Sequence, residues 1–310
     1  MTTAFMQAID RRGAHARATG ALQPIQAEQT EVTDAGLRFT VRWLSSLSEK
    51  DAAKAAMPGG PRDPDFNPFL SPDPALTVGP VGDHHLAILN KFPVCDRHLV
   101  LARCEFEEQR LPLGLDDFQA LALIMSDSGG LGFYNGGPEA GASQRHKHVQ
   151  WIPSAAGNAG LNFLMPGLPA ASGHLAAAVH PKLPARHLFV RVVCGAGTDA
   201  DESAASMHAA FGLACRQLGL EPDGAGLLPA CNMLVQNNWL LVVPRSREHA
   251  YDVSVNALSY GGTLYVRHPE QIEPIRSVGP LAVLTMAAYA AHGAHSSTSG
   301  QAHGRESQQG

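Results

Sequence analysis

The sequence predicts an α+β fold built on antiparallel sheet, and three features point there. Strand-type segments outnumber helical ones and do not alternate strictly with them. Two amphipathic helical stretches, near residues 115–127 and 203–218, interrupt the strands at corresponding places, so the order strands, helix, strands occurs twice. The dipeptide Asn237-Asn238 separates two apolar runs and suits the tight turn of a hairpin. Two similar halves follow, expected at 1–185 and 186–292, with a Ser/Gly/Gln-rich tail over 293–310 expected to be disordered.

Each element has its own warrant. The first twenty residues set Arg11, Arg12 and Arg17 among alanines, as an amphipathic helix would. Residues 36–44 alternate apolar and polar side chains, the period of a half-buried strand. Between Ala56 and Pro74 the density of Pro, Gly, Asp and Asn forbids regular structure. Strands over 86–92 and 99–103 follow, joined by a Pro-containing turn. In the helix over 115–127, Asp116 is the expected N-cap, and Phe118, Leu121, Ala122 and Met125 form one stripe. Ser128-Gly129-Gly130 ends it, and 131–134 leads into a glycine-rich loop. Residues 154–184 read as a low-charge crossing between halves. A β-branched strand over 187–194 precedes the second helix, whose stripe is Met207, Phe211, Ala214 and Leu218. The hairpin 232–243, a strand near 263–267 and a helical 278–291 complete the chain.

Composition excludes several classes. With 310 residues, 45% of them hydrophobic, the chain can bury a substantial core. A formal net charge of −5 gives no overall field that draws it to nucleic acid or membrane. The five cysteines are odd in number and have no C-x-x-C spacing, which argues against a disulfide framework or zinc ribbon and fits a reducing cytoplasm. No early apolar run of signal-peptide type occurs, and no segment approaches bilayer-spanning length.

The chemistry concentrates in Ser143-Gln144-Arg145-His146-Lys147-His148-Val149-Gln150-Trp151-Ile152-Pro153. In an extended strand His146, His148 and Gln150 leave from one face, with Lys147, Val149 and Trp151 on the other. The segment 134–142 just upstream is glycine-rich and suits a backbone phosphate cradle that includes Gly141. Alternating histidines serve equally as a nucleophile, as metal ligands or as a hydrogen-bonded structural pair. Gln150 tilts the choice, because a carboxamide is a poor zinc ligand and a good donor to phosphoryl oxygen. Asn135, Ser143 and Gln144 are neutral donors that suit oxyanion stabilisation.

The segment 135–153 resembles the active strand of the histidine-triad superfamily, in the branch where glutamine replaces the third histidine. The closer resemblance is to the diadenosine tetraphosphate phosphorylase (ATP adenylyltransferase) family. It extends over Gly20-Ala21-Leu22-Gln23-Pro24-Ile25, residues 62–70, Leu89-Asn90-Lys91-Phe92-Pro93-Val94, Glu105-Phe106-Glu107, residues 243–248 and residues 254–258, in order across about residues 15–290. The resemblance implies a duplicated histidine-triad-like fold, with the second half silent because it lacks His-x-His. It implies phosphorolysis of a dinucleoside polyphosphate to ADP and ATP through an adenylyl-histidine on His148. His146 would orient or contact phosphate, and Gln150 would donate to a phosphoryl oxygen. Lys91, Asn135, Gly141, Ser143, Gln144, Asn67, Phe69 and Arg245 carry over as nucleotide or phosphate contacts, and Phe66 with Phe69 would meet a base. Lys91, Arg145 and Arg245 would supply positive charge, and a divalent cation, Mg²⁺, would accompany the polyphosphate. His98 falls where packing and chemistry are equal expectations. The sister uridylyltransferase branch has proline where Lys147 stands and uses cysteine-containing metal sites with no counterpart here. A dinucleotide hydrolase, a hexose-1-phosphate uridylyltransferase and a nonenzymatic nucleotide- or metal-binding module using His146 and His148 are the alternatives.

Overall fold

The computed structural model describes residues 4–24, 27–44, 67–170 and 173–291. Phe66 and the tail 293–310 lie outside them. Helix α1 (Ala4–Ala18) packs Met6 and Ile9 inward. Strands β1 (Ala27–Asp34) and β2 (Leu37–Leu44) form a hairpin. Then come β3 (Thr77–Val81), β4 (His85–Leu89), β5 (Leu99–Arg103), helix α2 (Leu115–Ser128), β6 (Leu131–Gly136) and β7 (His148–Ile152). Next come β8 (Ala177–Ala178), β9 (Leu188–Arg191), α3 (Ala200–Gln217), β10 (Cys231–Gln236) and β11 (Trp239–Pro244). A short β12 (His249–Ala250) and β13 (Val253–Ser254) lead to α4 (Ala257–Tyr260), β14 (Thr263–Val266), α5 (Ile272–Val278) and α6 (Pro280–Ala287).

The main sheet has nine strands in the order β3-β4-β5-β7-β6-β10-β11-β9-β8, and every pairing in it is antiparallel. The two halves are therefore fused edge to edge along β6 and β10. Helices α2 and α3 lie together on one face, because strands alternate and Val149, Trp151, Met233, Val235, Leu240 and Val242 all point to that side. The opposite face of β6, β10 and β11 carries Leu131, Phe133, Leu234, Leu241 and Val243 into a second core. There β14 joins β2 in parallel, so the C-terminal region covers this side together with the N-terminal hairpin.

Two expectations change in detail, and one is met. Helix α2 is capped by Gly114, whose N–H is accepted by Asp117 Oδ2 at 2.8 Å, so Asp116 already lies inside the first turn. The helix expected over 278–291 is shorter, Pro280–Ala287, and is parted from α5 at Gly279 with φ +85°; a Cβ there would sit 2.4 Å from the Asp34 carboxylate. The hairpin β10–β11 turns at Asn237 and Asn238 with φ of 52° and 61°, the left-handed pair that its turn type needs. Among the described residues no helix is long and apolar enough to cross a membrane.

Candidate active site

Strand β7 is flanked by β5 and β6, with Ala102 opposite His148 and Val100 opposite Gln150. His148 and Gln150 therefore emerge from the face away from the helices. His148 is 5% exposed, and its Nδ1 lies 2.8 Å from the carbonyl oxygen of His146. A carbonyl only accepts, so Nδ1 carries the proton and Nε2 keeps its lone pair. Burial pushes the ring's pKa down to about 4, with the His146 carbonyl opposing that shift, so the imidazole is neutral at pH 7. Phe69 packs against this ring at 5.1 Å between centroids.

His146 has both nitrogens committed. Nε2 donates to the Arg103 carbonyl at 2.8 Å, so Nδ1 accepts from Asn67 Nδ2, also at 2.8 Å. Asn67 Oδ1 in turn accepts from the Phe69 N–H at 3.0 Å. His146 is thus an anchor rather than a metal ligand or a second nucleophile. Asn67, expected to touch nucleotide, spends its carboxamide on His146 and on the turn that sets Phe69 in place. Phe69 and Phe106 stand edge-on to His146 at 5.7 and 5.6 Å, and Phe106 is 48% exposed.

Gln150 Oε1 lies 2.9 Å from Nε2 of the buried His98. Burial lowers the His98 pKa to about 4, so that ring is neutral. Its Nδ1 has no hydrogen-bond partner among the described residues, and donation from Nε2 to the Gln150 oxygen leaves the Gln150 Nε2 group as a donor. His98 therefore orients Gln150.

Asn135 sits on the seam between halves. Its Oδ1 accepts from Asn232 Nδ2 and from the Ala257 N–H, both at 2.9 Å, which leaves its amide nitrogen for a ligand. Gly141 has φ +84° and passes so near Asn256 that a Cβ would stand 2.8 Å from that residue's own Cβ. The loop then brings Ser143, exposed, and Gln144, half-buried, toward His146. Lys91 is exposed, with its ammonium 5.7 Å from the centre of the Phe92 ring.

Arg245 corrects an expectation. It is 2% exposed, and its guanidinium donates to the carbonyls of Ala287 at 3.0 Å and Arg247 at 2.8 Å and to Asn232 Oδ1. A side chain so enclosed ties the end of β11 to Asn232 on β10 and to the end of α6, and does not face a phosphate. Arg145 pairs with Glu108. Lys147 points to the helix side, where its ammonium lies 3.0 Å from Asp117 and 3.2 Å from Glu107. Sequence reasoning did not single out Gln109 or Asn232, since an isolated amide residue carries no local signal.

Comparison with known proteins identifies the family and the fold. The family model for the Ap4A phosphorylase N-terminal domain matches residues 1–166. The chain belongs to this family. A second model, the ATP adenylyltransferase C-terminal domain, matches residues 181–290. Among curated relatives, the diadenosine 5',5'''-P1,P4-tetraphosphate phosphorylase 2 of Saccharomyces cerevisiae is 28% identical over 302 residues, covering 86% of this chain and 88% of its own. The solved yeast Ap4A phosphorylase Apa2 in complex with Ap4A superposes with a TM-score of 0.73 at 23% identity, over 94% of this chain and 99% of that one. Apa2 without that ligand gives 0.74 at 23% identity over 96% and 98%. At that identity the superposition establishes the shared α+β fold.

Proposed function

We propose that this chain cleaves diadenosine tetraphosphate by phosphorolysis, through a covalent adenylyl group on Nε2 of His148. The Nε2 lone pair attacks the α-phosphorus, a P–N bond forms, and the P–O bond to the triphosphate side breaks, releasing ATP. An oxygen of inorganic phosphate then attacks the same phosphorus, the P–N bond breaks, and ADP leaves with the imidazole restored. Two displacements at one centre let a single small site serve both. The observation that carries this reading is the buried, neutral His148 ring whose Nδ1–H is held by the His146 carbonyl. A neutral imidazole is always ready to attack, and the held proton disperses the positive charge that develops as the P–N bond forms.

The Nε2 group of Gln150 donates to a phosphoryl oxygen, and it has no acidic proton to offer a leaving group or a water. Asn135 Nδ2, Ser143 and Gln144 are further neutral donors on the same side. A divalent cation, Mg²⁺, would come with the substrate and would screen its polyphosphate charge; among the described residues no group of three or more His, Cys, Asp or Glu is positioned to hold a metal. Catalysis belongs to the first half, 1–185, with 186–292 completing the sheet. All five cysteines are free thiols, which suits the cytoplasm as the working compartment.

Intact-protein mass spectrometry after brief exposure to the dinucleotide without phosphate tests the reading. The expected result is one acid-labile adenylate mapped to His148, with ADP and ATP forming once phosphate is added. His148→Ala should take no label and lose turnover. Substantial residual activity in that variant, or a label on another residue, overturns the assignment.

A further inference from the structure

Strands β6 and β7 stop pairing too early, and the side chain of Gln109 lies in the gap. Their ladder runs Leu131 opposite Ile152, Gly132 opposite Trp151 and Phe133 opposite Gln150, and then ends. Carried two residues further, the same register would set Asn135 opposite His148. Instead the Gln109 carboxamide stands between them. Its Oε1 accepts from the His148 N–H at 2.8 Å; its Nε2 donates to the carbonyls of Asn135 at 2.8 Å and His148 at 3.1 Å. The backbone of Gln109 is held equally firmly. Its N–H donates to the Arg145 carbonyl at 2.6 Å, and its carbonyl accepts from the Tyr134 hydroxyl. The residue is 2% exposed.

We propose that Gln109 is a positioning residue for the nucleophile, a side-chain amide that replaces β6 as the hydrogen-bond partner of His148. This rests on the covalent reading of His148 given above. An amide supplies one acceptor and two donors in a plane, the same groups that a neighbouring peptide would present, so both polar groups of the His148 backbone are satisfied. The wedge also frees β6 from β7 at the point where chemistry occurs. Asn135 then turns toward Asn232 of the other half, and the two donor-bearing strands diverge. With the His148 backbone fixed by Gln109 and its ring fixed by the His146 carbonyl, the direction of the Nε2 lone pair is determined at both ends. Displacement of a reacting group by even 1 Å can cost about 100-fold in rate.

Two variants separate positioning from folding. Gln109→Leu removes all three side-chain hydrogen bonds at similar volume. Gln109→Glu acts as a titratable stand-in: its neutral carboxyl accepts from the His148 N–H and donates to one carbonyl, whereas its ionised form has no donor. Rapid-quench adenylylation with radiolabelled dinucleotide gives an amplitude, which counts correctly folded protein, and a rate constant, which reports how the nucleophile is aimed. For Gln109→Leu we expect an amplitude near wild type and a rate constant lower by about 30-fold or more, with KM changed by less than about 3-fold. For Gln109→Glu, the rate relative to wild type should fall about 10-fold or more as pH rises from about 5.5 to 8, as its proton is lost. Wild-type rate constants in both variants, or losses confined to amplitude, would overturn the proposal. Should Gln109→Leu fail to fold, the pH profile of Gln109→Glu decides alone. A wild-type chain that makes ADP and ATP without labelling a histidine removes the covalent reading only; steady-state kcat then reads the same comparison.

Discussion

The two halves of the main sheet share a frame and differ on one face. In the first, β5, α2, β6 and β7 are ordered β5-β7-β6 across the sheet; in the second, β9, α3, β10 and β11 are ordered β9-β11-β10. The triplets meet back to back at the β6–β10 seam, and α2 packs on α3 over both. Toward the helices the strands are alike, with Val149 and Trp151 on β7 matched by Leu240 and Val242 on β11. Away from the helices β7 carries His148 and Gln150, while β11 carries Trp239, Leu241 and Val243, all buried in the second core. The apolar face makes the fold and is shared by both; the other face is free to vary, and there one half carries His148 and Gln150 while the other is core. The second half still serves the site through its seam residues, since Arg245 holds Asn232, Asn232 holds Asn135, and Asn135 receives Gln109.

Acid breaks this arrangement most strongly. His98 and His148 in the first half and His187 in the second are each buried with pKa lowered to about 4, desolvation being the largest cause in every case. In the unfolded chain they titrate near 6.5. Between those values the unfolded state binds protons that the native state does not, so stability is complete above about pH 6.5 and is lost as pH falls toward 4. Each histidine contributes a slope of about 1.4 kcal/mol per pH unit inside that window, and three give about 4. His146 and His180, also lowered mainly by burial, act in the same direction. Urea unfolding across pH 4–7 should show this dependence, and His148→Gln or His187→Gln should each lower the slope. An undiminished slope in His148→Gln would mean that the nucleophile is not held neutral by burial.

The seam gives the next largest effect. Arg245→Met removes a buried guanidinium and leaves Asn232 Oδ1 and the carbonyls of Ala287 and Arg247 without their donor, a loss of about 3–5 kcal/mol. KM for the dinucleotide should move by less than about 2-fold in the folded fraction. A strut and a phosphate ligand predict opposite results here. Near-wild-type stability combined with a large rise in KM would return Arg245 to the substrate.

How much of this is legible in the chain depends on whether the signal is local. Strand β7 is, because His148 and Gln150 alternate with Val149 and Trp151 and a glycine loop precedes it. Helices α2 and α3 show their 3.6-residue stripes, and the paired asparagines announce the β10–β11 turn. Strand β1 does not, since Ala27–Asp34 is mostly polar and is a strand only through its pairing with β2. The break at Gly279 depends on Asp34, which is remote in sequence. The same limit governs the site. Arg245 reads as a surface charge after a strand, and only the fold reveals that it is enclosed between Asn232 and the end of α6. Gln109 reads as an ordinary loop residue, because the gap that it fills is made by two strands still to come.

On the covalent reading proposed above, Gln150 would separate phosphorolysis from hydrolysis, with the smallest expected effect on overall rate. Its oxygen is committed to His98, so what it presents to the phosphoryl group is an N–H donor that cannot take up a proton at neutral pH. Water attacking the adenylyl-histidine needs a base to remove its proton, whereas inorganic phosphate arrives already anionic. The amide therefore favours transfer to phosphate by leaving water unassisted. Gln150→His places a titratable ring at that position and should admit hydrolysis, seen chromatographically as AMP appearing beside ATP in reactions without phosphate. We expect hydrolysis to rise to about a tenth or more of turnover, with total cleavage reduced by less than about 10-fold. If the ratio of ADP to AMP at fixed phosphate matches wild type, Gln150 only fills space beside His98, and the choice of acceptor has to come from the loop donors Ser143 and Gln144 instead.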